Sequence, residues 1–174
     1  MFINVETRRV YISPSTYKPD EQWMVQQAET FVESTRTDGP KCKILMHDND
    51  GKYSKPFLAS LKKAKVKTQR TPIRSPNMVA FAECFVQTIK QECLDHFIVF
   101  GHKHMDVLCR EFTIHYHEER AHQGLENELI VGPKRTKRSK AKSKSSEPNS
   151  IPISEIRCKE RLGGLLKSYS RKAA

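Results

Sequence analysis

Apolar and polar residues alternate along "FINVETRRVYI", residues 2–12, and the spacing predicts two short antiparallel strands around a polar turn at Asn4–Thr7. In "KPDEQWMVQQAETFVEST" the apolar positions change to helical spacing. Trp23, Gln27 and Phe31, or Met24, Ala28 and Phe31, share one side of a helix over about 21–34, with Asp20 as its cap. "GPKC" breaks that helix. Residues 43–47 form a short apolar run of strand type, and Phe57, Leu58, Leu61 and Ala64 follow at helical spacing. "KVKTQRTP" reads as a strand stopped by Pro72. A long helix is expected from about 77 to 95, with Phe81, Phe85 and Ile89 in one stripe. Another covers "KHMDVLCREFTIHYHEER", with Met105, Leu108, Phe112 and Tyr116 facing inward.

Strands alternating with helices over about 130 residues indicate a three-layer α/β or mixed α+β domain. The body spans 1–132 and closes on a glycine-containing turn, "AHQGLENE". A basic, flexible linker occupies 133–150, and a C-terminal extension occupies 151–174. That extension is expected to form at most a short amphipathic helix, interrupted by Gly163 and Gly164.

Charge separates these parts further. Of a net charge of +11, seven positive charges fall in "PKRTKRSKAKSKSS", residues 133–146, which holds no acid; the remainder carries only +4. Such a run is either a solvated linker or a strap for phosphates. The five cysteines are odd in number, irregularly spaced and without a CxxC pair, so neither a disulfide framework nor a zinc knuckle is implied. His115, His117 and His122 in "HYHEERAH" lack metal-site spacing and read as polar surface at a helix end. No apolar run is long enough to cross a membrane, and "MFINV" lacks the marks of a signal peptide, so a cytoplasmic location is expected.

Two carboxylates stand out. Asp48 ends the strand before "NDGKY", and Glu83 lies on the polar side of the long helix, together with Gln87 and Lys90. Carboxylates held at a strand end and on a neighbouring helix suit a hard cation such as Mg²⁺. Equally, "DNDG" reads as a strand-ending turn and Glu83 as a solvated side chain. A calcium loop fails in register, because placing Gly51 at the invariant glycine puts Met46 at the first ligand position and Phe57 at the last.

Three ordered motifs, "HDNDGKY", "TPIRSPNMVAFAECFVQTIKQECLDH" and "HYHEERAHQGL", resemble the integrase catalytic core of bacterial insertion-sequence transposases, in the retroviral integrase superfamily. The resemblance covers about residues 2–132. It implies a ribonuclease H-like mixed sheet flanked by helices, followed here by the basic tail. It also implies an Asp, Asp, Glu triad that uses two Mg²⁺ (or Mn²⁺) ions to cut and join DNA. Asp48 matches the second acid and Glu83 the third, both as metal ligands. Lys52, Gln87, Lys90, Lys134, Arg135, Lys137, Arg138, Lys140, Lys142 and Lys144 are the residues expected to approach double-stranded DNA, at element ends and at the target. A nucleoid-associated homo-oligomer is the expected assembly.

The chain departs from the pattern in three places. Its first residues already form the hairpin, so the first central strand and its Asp are expected to be missing, leaving a weak or incomplete metal site. Glu6, Asp20, Asp38 and Asp50 do not have the central-strand placement of that acid. Cys84 stands where relatives usually carry Arg, and Ala121 where they carry Pro. The alternative reading is a non-catalytic remnant that binds DNA or a full-length transposase.

Overall fold

The computed structural model describes residues 1–37, 41–72, 79–132 and 152–171. Strands β1 (Phe2–Ile3) and β2 (Val10–Tyr11) pair antiparallel. Asn4 shapes the turn between them, its side-chain oxygen accepting the amides of Glu6 and Thr7 at 3.0 and 2.8 Å. Helix α1 (Glu21–Thr37) starts where Asp20 accepts the Trp23 amide at 2.8 Å. Its buried residues are Gln27, Ala28 and Val32, with Met24 and Phe31 of the stripes read from spacing half-buried against the same cluster.

Strand β3 (Ile44–His47), helix α2 (Lys55–Lys63) and strand β4 (Lys67–Arg70) form a β-α-β unit whose strands run parallel. Ser54 caps α2, Pro56 sits in its first turn, and Phe57 and Leu61 are fully buried beneath it. Helices α3 (Ala80–Glu92) and α4 (Gly101–Glu118) follow. Leu108, Phe112 and Tyr116 of α4 are buried, as the spacing predicts. Within the expected stripe of α3, Phe85 and Ile89 are buried but Phe81 is 38% exposed, because Phe81 lies under an arginine rather than in the core.

The apolar side chains collect in two clusters. One joins Ala28 and Val32 of α1 to Leu45, Phe57, Leu61 and Val66. The other joins Val10 to Phe85, Ile89, Cys93, Leu108, Phe112, Tyr116 and Leu166. Strand β1 touches both, with Phe2 packed on the first and Ile3 on the second. Among the described residues the strands form three separate two-stranded sheets, in a mixed α/β architecture. Among the described residues no helix is long and apolar enough to cross a membrane.

Two expectations are overturned. Residues 156–171 form a hairpin of β5 (Ile156–Arg161) and β6 (Leu166–Arg171), where an amphipathic helix was anticipated. Leu162, Gly163 and Gly164 all have positive φ (51°, 68° and 90°), so the glycines close a tight turn where helical periodicity would only have been interrupted. The histidines are not surface: His115 and His122 are 7% and 5% exposed. They are tolerated inside because each has a partner. His115 Nδ1 lies 3.1 Å from Glu119, His122 Nε2 donates to the Tyr116 carbonyl at 2.7 Å, and His117 Nε2 accepts the Val10 amide at 3.0 Å.

Candidate functional site

Asp48 follows the last residue of β3, and the chain around it is tied in place by short local bonds. His47 Nδ1 donates to the Asp48 carbonyl at 2.7 Å. The Asp48 carboxylate accepts the Asp50 amide at 3.2 Å, and Asp50 accepts the Lys52 amide at 3.0 Å, giving two successive turns built by aspartate side chains. Beneath them the ring of Tyr53 lies 4.7 Å from His47 and 5.3 Å from Phe57. Burial, and then the charges of Asp48 and Asp50, push the Tyr53 phenol above its ordinary pKa. Asp48 itself stays exposed. The strand therefore ends in a braced turn that presents a carboxylate to solvent.

Glu83 sits in the first turn of α3 and is exposed, as are Gln87 and Lys90 farther along the same side. The positive end of the helix dipole favours a carboxylate at that position. Phe85 and Ile89 fix the rotation of the helix by burying its opposite side. Both ends of α3 are also pinned. The Arg8 guanidinium stacks 3.8 Å over Phe81 near its start. At its finish, Arg120 makes two hydrogen bonds to Glu92, at 3.0 and 2.7 Å.

Asp48, Glu83, Gln87 and Lys90 line one open cleft of about 1940 Å³ that runs between the β3–β4 unit and the β1–β2 hairpin. Lys52 is not on its wall and instead lies 3.7 Å from Asp50 in an exposed ion pair. Lys134, Arg135, Lys137, Arg138, Lys140, Lys142 and Lys144 lie outside the described residues. Arg8 and Tyr53 are the supporting residues that spacing did not point to. Only a long-range partner reveals Arg8, whereas the aromatic pair Tyr53 and Phe57 at i, i+4 is a local hint.

Two carboxylates in one cleft provide hard oxygen donors of the kind Mg²⁺ takes. Among the described residues, however, no three His, Cys, Asp or Glu side chains come together as a metal-binding group. The donor set fits such an ion in kind and falls short in number.

Residues 64–128, just over a third of the chain, match the family model of the integrase core domain. The match includes α3 with Glu83, Gln87 and Lys90 and all of α4, and it begins after Asp48. It is shorter than the resemblance read from the motifs. No curated protein sequence matches the chain. Over residues 64–128 the chain is thus similar to the integrase core domain.

Proposed function

We propose that this chain is the core of an integrase-type transposase that acts on DNA phosphodiesters, with Asp48 and Glu83 as its two metal-ligating acids. The observation that carries the reading is the position of Glu83: it lies within the integrase core match and lines the same cleft as Asp48, although 35 positions separate them. A ribonuclease H-like arrangement is supported by the antiparallel β1–β2 hairpin, the parallel β3–α2–β4 unit and the helices that follow. In that arrangement the cleft between the hairpin and β3 is where the first central strand runs.

Bound Mg²⁺ or Mn²⁺ would supply activation of the attacking oxygen and neutralisation of the leaving one. The chain's own residues hold and orient. The Asp48 turn and the first turn of α3 bring two carboxylates to one cleft, and Lys90, about two turns along α3, faces a passing phosphate. Lys52 at the β3–α2 turn and the basic run of 133–146 add sequence-independent attraction for the backbone. The two acids that line the cleft are expected to bind one ion weakly and not to support cutting by themselves. A second reading, a non-catalytic module that binds DNA or a complete transposase, is favoured by that same shortage of ligands among the described residues.

Mn²⁺ binding followed by electron paramagnetic resonance, together with plasmid nicking, tests both readings. Weak Mn²⁺ binding that is lost in Asp48→Asn and in Glu83→Gln, with no nicking by the chain, is the expected result. Mn²⁺ binding indifferent to both substitutions would overturn the site. Nicking that Asp48→Asn abolishes would show that the described acids suffice.

A further inference from the structure

The +4 that remains outside residues 133–146 is not spread evenly. Residues 51–82 hold eight basic residues and no acid, so all the rest of the chain carries a net −4. Much of this second run lies on α2, β4 and the turn between them, where Lys62, Lys65 and Lys67 gather around one open groove of about 740 Å³. All three are exposed, and among the described residues none has a carboxylate within ion-pair distance. The dipole of α2 favours a cation in its last turn, which accounts for Lys62. Lys65 and Lys67 lie beyond that helix. Lys65 also has a φ of 62°, in the left-handed position after a helix that glycine or asparagine takes with less strain. A long cation kept in that conformation points to a use for its charge.

The groove is more than a basic surface. Leu58, Ala59 and Val66 supply an apolar lining, and Lys67 and Thr68 bring in the start of β4. Lys67 donates to the Lys43 carbonyl at 2.9 Å and Thr71 to the His47 carbonyl at 2.8 Å, so residues 67, 69 and 71 address β3. Backbone groups of successive residues point to alternate edges of a strand. Those of Thr68 and Arg70 therefore face the outer edge of β4, where among the described residues no strand pairs. A free backbone edge, an apolar lining and three uncompensated ammonium groups meet in one place. Nucleic acid would satisfy only the last of these, because it offers no row of amides and no apolar side chain. An extended acidic polypeptide satisfies all three.

Position separates this groove from the cleft of Asp48 and Glu83. Strands β3 and β4 run parallel, Lys67 begins β4 and Asp48 follows the end of β3, so the length of a four-residue strand, about 13 Å, lies between the two. No residue lines both the groove and the cleft. DNA lying along the cleft does not use these lysines.

We propose that the groove between α2 and the outer edge of β4 docks an acidic, extended segment of a partner protein, which adds to β4 at Thr68 and Arg70 and sets its carboxylates among Lys62, Lys65 and Lys67. Charge makes the edge selective. It repels basic strands, those of a second copy of this chain among them, since β4 reads "KTQR" and β5 reads "IRCKER". The inference stands whether or not Asp48 and Glu83 hold a metal.

The probe is an end-blocked peptide of alternating glutamate and valine, titrated into the full chain without metal or DNA while hydrogen exchange is followed. Saturable protection is expected, with roughly tenfold slower exchange at the Thr68 and Arg70 amides, and it should weaken as salt rises. Lys65→Gln together with Lys67→Gln should raise the peptide concentration for half-protection about tenfold, with the circular dichroism unchanged. The basic run at 133–146 also attracts acids, but peptide held there leaves the β4 amides unprotected. The same peptide N-methylated at alternate nitrogens keeps its charge and should give no protection of β4. Absent or non-saturable protection, equal protection by the N-methylated peptide, protection away from β4, or indifference to the double substitution would each overturn the proposal. So would a DNA duplex that slows exchange at Thr68 and Arg70 and displaces the peptide, a result that would assign the lysines to phosphates instead.

Discussion

His117, the last but one residue of α4, and Glu119, just beyond its end, are both held deprotonated by what surrounds them, the ring neutral and the carboxylate charged. Burial, then the nearby charges of Arg9 and His122, lower the His117 pKa from 6.5 to about 4, consistent with a neutral ring that accepts the Val10 amide. Burial works to raise Glu119. Hydrogen bonds from Arg161, Lys159 and His115, with the charge of Arg161, outweigh it and bring that carboxyl from 4.5 down to about 2. For His117 the unfolded chain takes up its proton first, so stability is intact above pH 6.5 and falls as pH drops from 6.5 to about 4. At about 1.36 kcal/mol per pKa unit this loss is on the order of 3 kcal/mol. The Glu119 contribution is present above 4.5 and goes as pH falls through about 2. Urea midpoints between pH 8 and pH 4 should therefore decline, and His117→Gln, which keeps an acceptor but cannot titrate, should flatten that decline. An unchanged slope in the variant would place the titration elsewhere.

The C-terminal hairpin is attached to α4 by charge as much as by apolar contact. Arg161, 14% exposed at its side chain, reaches Glu119 at 2.8 Å and Glu111 at 2.8 Å, and Lys159 adds a 2.7 Å contact to Glu119, whose side chain is 6% exposed. Leu166 enters the second cluster beside this network, with Leu162 and Leu165 packed against it. Stripping one partner from a buried pair leaves the other charge without compensation, at a cost of about 3 to 5 kcal/mol. Because Lys159 and His115 still face Glu119, Arg161→Met should cost about 3 kcal/mol, the lower end of that range. The double variant Glu119→Gln with Arg161→Met should lose less than the single one, because it leaves no buried charge behind. Denaturant midpoints of both variants, with hydrogen exchange across β5 and β6, measure this. A double variant worse than the single would mean that the network stabilises beyond neutralising Glu119.

At the level of the whole molecule, charge is divided unevenly, with seven of the +11 in residues 133–146 and +4 for all the rest. Affinity for DNA should come mainly from that run, because each phosphate neutralised releases condensed counterions. Full engagement of seven cations would give a slope of log K against log salt near about −6. Deleting 133–146 should shrink the slope to about −2, the part left to Lys52 and Lys90, and weaken binding alike for all duplex sequences. A deletion that changes neither slope nor affinity would move the contact to the cleft face of α3.

Local signals carry a good part of this molecule. The cap at Asp20, the Asn4 turn, the stop at Pro72 and the inner face of α4 rest on residues close together in the chain, and they hold in the structure. The outer side of α3, with Glu83, Gln87 and Lys90, is readable for the same reason: a helix rotates by a set angle per residue and Phe85 and Ile89 bury the other side. What lies between distant segments was not readable. The partners of His115 and His122, the Glu119 carboxylate and the Tyr116 carbonyl, are local, at four and six positions, but spacing alone did not show that these rings are buried. The hairpin at 156–171 depends on a buried ion pair with residues 42 and 50 positions earlier in the chain, and no periodicity within the segment encodes it. The stacking of Arg8 on Phe81 is likewise a contact across the fold, and the shared cleft of Asp48 and Glu83 was implied by the motif resemblance and not by spacing. Spacing restricts which side of an element a residue can occupy, and only packing against other elements settles what stands opposite it.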